Sequence, residues 1–249
     1  MSTPHFFAVV IPARDEAELL GRSLDAVALA ARVARRKYGR WMPRVEVVVA
    51  ADGCTDATAD IAWNAGVGVV ELPSVGVGAA RSTGVHRALR NARPPLDDIW
   101  IANTDADSVV PPSWIVDQIE FARQGVDVVI GSVRPDFEDL TPLQKRAWLA
   151  THTPGVANGH VHGANLGVRA SAYVNSGGFL PHREHEDNDL VRRLIATGAT
   201  VVASSSSEVV TSGRQFGRTP GGYAGYLREQ LVALAEQREL EGETEELGA

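Results

Sequence analysis

The chain has 249 residues, 44% of them hydrophobic and 22% charged, which is enough to bury a core and unlike a disordered or fibrous composition. Its 24 basic and 31 acidic side chains give a net charge of −7, but Glu236, Glu239, Glu241, Glu243, Glu245 and Glu246 crowd the end beside Arg238. The body is therefore near neutral, which argues against a broad nucleic-acid surface. Cys54 is the single cysteine, so an internal disulfide and a cysteine-cluster zinc site are excluded. No apolar run reaches the roughly 20 residues that span a bilayer, and the first residues lack the pattern of a secretion signal. The expectation is a cytoplasmic protein, with peripheral contact to a membrane left open.

In chain order, Phe6 to Ile11 is a continuous apolar run of strand length, as expected where helices cover both faces. Pro12 is expected to end it, and Asp15 with Glu18 has the spacing of a helix-capping pair. A helix follows through Leu19, Leu20, Leu24 and Val27 to a stop at Gly39. Val45 to Ala50 is the second strand, then a turn at Asp52-Gly53-Cys54-Thr55-Asp56 and a helix ending near Gly66. Val67 to Leu72 is the third strand, and a Gly-rich turn at 76–78 leads into a helix through Leu89. The fourth strand, Ile99 to Asn103, runs into Thr104-Asp105-Ala106-Asp107. Pro111-Pro112 opens another helix before a fifth strand at 126–133.

This alternation predicts an α/β fold with a mostly parallel sheet, helices on both faces and right-handed crossovers. The second half holds Gly-rich and His-bearing segments, short strands at 200–203 and 208–211, and a last helix from Tyr223 to about Leu240. No linker-like stretch separates the halves. The reading is one domain over 1–249: a nucleotide-binding half at 1–110, a smaller mixed acceptor half at 111–221, and a C-terminal helix with an acidic tail at 222–249.

Ligands of open α/β sheets bind beyond the carboxyl ends of the strands, and several polar clusters fall there. Asp105 and Asp107 lie two apart, which in extended chain puts both carboxylates on one side. Such a pair repels itself unless a cation intervenes, and hard oxygen ligands suit Mg²⁺ or Mn²⁺; the alternative is a pair of turn-forming aspartates. Asp52 closes a buried strand, where a carboxylate needs a partner such as a nucleobase ring N–H. Cys54 reads as a small turn residue. The small residues at 76–80 let backbone approach a phosphate, or simply pack a helix end, and Arg81 adds a fixed charge.

Glu184, Glu186, Asp187 and Asp189 are four acids within six residues. They either complement a helix amino terminus or supply a general base near a metal. His182 and His185 do not form a zinc-peptidase motif. His160 and His162 alternate as on a strand, suited to acceptor binding or to structure alone.

Taken in order, these segments resemble the GT-A-type glycosyltransferases of family 2, across roughly Phe6 to Ser212. VVIPARDEAELL is similar to the family's opening strand, turn and helix, and ADGCTDATADIA to its D-D-G-S-T-D segment. GVGAARSTGV resembles the Gly-rich stretch with an arginine, and NTDADSVVPPSWI the D-x-D region. GANLGVRASAYVNSGGF and EHEDNDLVRRLIATG resemble the acceptor-side Gly-Gly-Phe and Glu-Asp-x-Asp-Leu elements.

The resemblance implies a donor that is a UDP- or GDP-linked sugar, an acceptor hydroxyl, a Mn²⁺ or Mg²⁺ cofactor and an inverting transfer. It implies that Pro12, Ala13 and Glu16 line the nucleotide, that Asp52 meets the base and that Arg81 neighbours the diphosphate or sugar. Asp105 would face ribose and metal, Asp107 would ligate the metal, and Asp187 would be the general base with Glu186 beside it. A non-catalytic nucleotide-sugar-binding protein and a nucleotidyltransferase are the competing readings. The intact acids Asp105, Asp107 and Asp187 favour the enzyme, and Arg14 alone is thin support for a triphosphate loop.

The chain departs from the pattern in carrying Ala51 where the family has an acid, and in having no histidine after His185 to serve as a late metal ligand. Thr211 to Arg214 with Arg218 forms a basic loop that either closes over the donor or is a mobile surface loop.

Overall fold

A computed structural model describes residues 3–153, 155–217 and 222–234. Arg218, the helix end near Leu240 and the acidic tail of the sequence reading lie outside the described residues. By contacts the chain divides into two units, one of residues 1–133 with 157–211, the other of residues 134–156 with 212–249.

The first unit is built on a sheet whose centre is β1 (Phe6–Ala13). Successive side chains of this strand point to opposite faces. Phe7, Val9 and Ile11 join one core with Leu20, Leu24, Trp100, Trp114 and Ile119. Phe6, Ala8 and Val10 join the other with Val85, Ala88, Ile101, Leu190 and Leu194. The unbroken apolar run is thus explained by helices on both faces: α1 (Leu20–Tyr38) and α4 (Trp114–Arg123) on one, α3 (Val77–Asn91) and α7 (Glu186–Ala196) on the other. Two shorter helices, α2 (Thr58–Asn64) and α6 (Ala170–Asn175), complete this unit.

β1 pairs in parallel with β2 (Arg44–Asp52) and β4 (Ile99–Asn103), and β2 pairs in parallel with β3 (Gly68–Leu72). The remaining strands are β5 (Ser108–Val109), β6 (Val128–Pro135), β7 (Leu166–Arg169) and β8 (Val201–Thr211), in the order β3-β2-β1-β4-β7-β6-β8-β5. The α/β class with helices on both faces is as expected from the sequence.

Three details differ. β7, absent from the sequence reading, inserts antiparallel between β4 and β6, so the fifth predicted strand runs in the expected sense but one place removed from β4. The two short strands foreseen near the end are one continuous β8. β1 continues through Pro12 to Ala13, in register with Ala50 and Ala51.

The second unit contains α5 (Pro142–Thr151), opened by a capping box in which Thr141 and Gln144 satisfy each other's backbone N–H groups. Tyr223–Gly225, here α8, leads into a π-helical turn at Tyr226–Gln230. Leu140, Ala147, Trp148, Leu227 and Leu231 form its own small core. Among the described residues no helix is long and apolar enough to cross a membrane.

Candidate active site

Because β1 lies parallel to both neighbours, the carboxyl ends of β1, β2 and β4 emerge side by side, at the point where the chain passes from one side of β1 to the other. Asp52 ends β2 and is 4% exposed. Its Oδ1 accepts from the Val75 N–H at 2.6 Å and its Oδ2 from the Gly76 N–H at 2.8 Å. Its burial therefore does not require a nucleobase, as the sequence argument supposed, although each oxygen keeps a lone pair to offer. The loop after β1 is tied to the loop after β2. Asp15 Oδ1 accepts from the Thr55 N–H at 2.7 Å, and Asp56 Oδ2 accepts from the Ala17 N–H at 3.0 Å.

Asp15 is thus no helix cap. It sits in the left-handed region at φ 47, and α1 begins later, at Leu20, without a side-chain cap. Pro12 is half-buried, Ala13 is buried, and Glu16, 6% exposed, donates its N–H to Thr58 Oγ1 at 2.7 Å.

The Gly-rich start of α3 is closed from outside. The Gly78 N–H donates to the His182 carbonyl at 3.2 Å, and a Cβ on Gly78 would meet the Leu180 oxygen at 2.3 Å. Backbone of residues 180–182 thus occupies the space beside Gly78 and takes up its N–H. One turn on, Arg81 is 2% exposed. Its Nε donates to Glu186 Oε1 at 3.0 Å and its Nη2 to Asp105 Oδ1 at 2.6 Å. Burial pulls the guanidinium pKa down, yet Asp105, Glu186 and Asp187 together hold it above the ordinary arginine range. Burial pushes Glu186 above the ordinary carboxylate value against the pull of Arg81.

Asp105 and Asp107 lie in a turn closed by the Ser108 N–H to the Asp105 carbonyl at 3.2 Å, not in extended chain. Different neighbours hold the two carboxylates. Asp105 turns to Arg81, while Asp107 Oδ1 accepts from the Thr211 hydroxyl at 3.2 Å. That hydroxyl accepts in turn from Ser108 Oγ at 2.9 Å, across the β5–β8 pairing.

Asp187 is in the first turn of α7, whose preceding residue His185 is left-handed at φ 58. Its Oδ2 accepts from the Gly163 N–H at 2.7 Å and its Oδ1 from the Asn188 N–H at 2.7 Å. The structure therefore brings Arg81, Asp105, Glu186 and Asp187 together and ties Asp107 to the end of β8. The sequence reading gives Gly163 and Ser108 no role, and Thr211 enters it only as the start of the basic loop at 211–214. A buried glycine outside a turn motif is a weak signal, and hydroxyls in a strand read as ordinary β residues.

The donors fit a hard divalent cation. Asp105 and Asp107 are both partly exposed, and the Thr211 hydroxyl lies beside Asp107. The described residues that bring three potential ligand atoms within 4.8 Å are different ones, Asp15, Cys54 and Asp56. Burial raises the Cys54 thiol pKa, and both carboxylates there accept backbone N–H groups, so this cluster is read as the tie between two loops. His160 and His162 pack edge to face at 6.4 Å, just before Gly163.

A parallel half-sheet with acids at its carboxyl edge, met by an acidic helix start from the second half of the chain, is the arrangement of an α/β protein that binds its ligand beyond the carboxyl ends of its strands. The chain belongs to glycosyl transferase family 2, whose pattern it matches over residues 8–174. Over 140 residues it is 31% identical to the undecaprenyl-phosphate 4-deoxy-4-formamido-L-arabinose transferase of Edwardsiella ictaluri, covering 55% of this chain and 39% of that protein.

Among solved structures, it is similar to S. aureus TarS residues 1–349 in complex with UDP-GlcNAc, with a TM-score of 0.62 and 16% identity, covering 88% of this chain and 61% of that one. It is also similar to the mannosyltransferase PcManGT from Pyrobaculum calidifontis in complex with GDP-Man and Mn²⁺, with a TM-score of 0.62 and 21% identity, covering 97% and 65%. The chain thus spans less than two thirds of each of these proteins. The GT-A architecture expected from the motifs is the fold it has.

Proposed function

We propose that this chain transfers a sugar from a nucleotide-diphosphate sugar to an acceptor hydroxyl, with inversion at the anomeric carbon. The observation that carries the reading is the convergence of Asp105, from the end of β4, and Glu186 and Asp187, from the start of α7, around Arg81 at the carboxyl edge of the sheet. The donor nucleotide lies along the ends of β1 and β2, against Pro12, Ala13, Glu16 and Asp52. Asp105 and Asp107 would hold Mn²⁺ or Mg²⁺, which when bound supplies neutralising charge for a diphosphate leaving group.

Asp187 is the general base. Backbone N–H groups hold both of its oxygens; Oδ1 also accepts from the Asn188 side-chain amide, and Oδ2 keeps a lone pair for the acceptor proton. The acceptor O–H proton passes to Asp187 as the acceptor oxygen bonds to the anomeric carbon and the bond from that carbon to the phosphate oxygen breaks, its electron pair leaving with the diphosphate. A single displacement of this kind inverts the configuration.

Titration calorimetry with UDP and GDP, with and without Mn²⁺, tests the reading. Binding of one nucleotide is expected to tighten with the metal, and Asp107→Ala is expected to abolish that gain. Metal-independent binding that Asp107→Ala leaves untouched would overturn the site. Asp187→Asn is expected to bind donor normally and to lose transfer, so near-normal turnover would remove Asp187 as base.

A further inference from the structure

Arg81 suggests itself as a ligand of the donor diphosphate, but its surroundings argue otherwise. The side chain is 3% exposed. Nε and Nη2 are spent on Glu186 and Asp105, and Nη1 is buried without a hydrogen-bond partner. Gly163 closes one side: a Cβ there would come within 2.3 Å of Nη2 and 2.7 Å of Cζ. The Phe179 ring lies 5.9 Å from the guanidinium carbon. Nη1 keeps its N–H donors, but the guanidinium is buried with them, so no exposed donor faces a ligand in the cleft. What it does have is a rigid fork joining two elements far apart in sequence.

We infer that Arg81 is a positioning residue: it sets the metal-side carboxylate of Asp105 and the start of α7 at a fixed spacing, with Gly163 as the second half of the clamp. Gly163 packs on the guanidinium while its own N–H holds Asp187 Oδ2. Metal-side and base-side carboxylates are thereby referred to one charge. This rests on the proposed assignment of Asp105 and Asp187, but it reverses the part that the family resemblance implies for Arg81, from binding the donor to aligning the groups that do. The absence of a side chain at Gly163 follows from the same packing. Its φ lies outside the left-handed region, so backbone conformation does not demand glycine there.

The test compares wild type with Arg81→Lys, Arg81→Met and Gly163→Ala in the full chain. Gly163→Ala keeps every charge and displaces the guanidinium from its other side, so it serves if the Arg81 variants fail to fold. Hydrogen exchange is read at the Gly163 and Asn188 amides, which Asp187 holds, with the Val9 and Val10 amides of β1 as the control for global stability. Exchange at the two Asp187-bound amides is expected to rise more than tenfold relative to the control. Calorimetric affinity for UDP or GDP without metal is expected to stay within threefold.

Release of UDP from UDP-GlcNAc or of GDP from GDP-mannose is expected to show kcat falling at least thirtyfold with KM nearly unchanged, and Arg81→Lys is expected to recover part of that loss. A tenfold or greater loss of metal-free nucleotide affinity with protection intact at Gly163 and Asn188 would overturn the inference and make Arg81 a donor ligand. Should wild type bind neither nucleotide, the donor reading fails by itself. In that case unchanged exchange in all three variants overturns the clamp, and increased exchange sustains it.

Discussion

Gly78 and Thr211 show how single side chains, or their absence, set the site. A methyl at Gly78 would drive into the carbonyls of Leu180 and His182, and both obstacles are backbone, which yields less readily than a flexible side chain. Gly78→Ala is expected to lower stability by about 1–3 kcal/mol, the usual range for overpacking a filled site. Urea denaturation checks this, and a loss under 0.5 kcal/mol would mean that the 180–182 loop is free to retreat. Thr211 donates to the proposed metal ligand Asp107. Outer hydrogen-bond partners typically tune metal affinity by tenfold or more. Thr211→Val is therefore expected to weaken nucleotide binding in Mn²⁺ about tenfold and to leave metal-free binding unchanged, as measured by calorimetry.

The identities of the acids were legible, because turn chemistry and strand ends are local signals. Their partners were not. Asp52 finds Val75 and Gly76, and Arg81 finds Glu186, through folding that brings distant segments together, and no spacing in the sequence encodes it.

At the scale of elements, α7 joins acid chemistry to the packing of its own middle. Asp189 accepts from Arg193 Nε at 2.8 Å and from Arg192 Nη2, and these bonds hold its carboxyl below the ordinary 3.8. Arg193 in turn donates to the carbonyls of Ser176 and Gly178, fastening α7 to the Gly177-Gly178 turn. Because the folded pKa is depressed, the unfolded chain binds more protons than the native one as pH falls through this range. The stabilisation is present above the unfolded pKa and disappears as pH drops through the folded value. Asp189→Asn is expected to be less stable than wild type at pH 7, with the gap narrowing by pH 3. Urea midpoints at the two pH values check this, and a gap that does not change with pH would show that Asp189 acts only as a neutral acceptor.

Elements with strong periodicity were read well, down to the bounds of β4 and the stops at Gly39 and Gly66, both at positive φ. β7 was missed because four residues with a central glycine carry almost no strand signal. The glycine itself is dictated from elsewhere: a Cβ on Gly167 would strike Gln118 and the Trp100 ring. β8 was split in two because its serine run looks like a loop, whereas several of those residues are only partly exposed and Ser207 is buried.

The two units of the molecule differ in how much apolar surface each encloses. The first carries two large clusters, one on each face of its sheet, whereas the second is centred on Leu140, Ala147, Trp148, Leu227 and Leu231. Among the described residues this second core is the smaller, which makes sub-global opening cheaper than unfolding of the sheet. Every residue proposed for donor, metal and base lies in the first unit. A ligand that binds only the folded first unit stabilises it by RT ln(1 + [L]/Kd), about 2.7 kcal/mol at a hundredfold excess over Kd. Amides of the second unit that exchange through their own opening gain nothing from that term.

Saturating UDP or GDP with Mn²⁺ is therefore expected to slow the most protected amides of β1, β2 and β4 by about a hundredfold, while those of α5 stay within twofold. Exchange mass spectrometry on peptides covering residues 6–13 and 142–151 makes the comparison. Equal slowing in both peptides would show that the second unit opens only when the first unfolds, and that the nucleotide's binding energy reaches the whole chain. Unequal slowing would show that the small core behaves as its own cooperative element, ordered independently of whether a donor is bound.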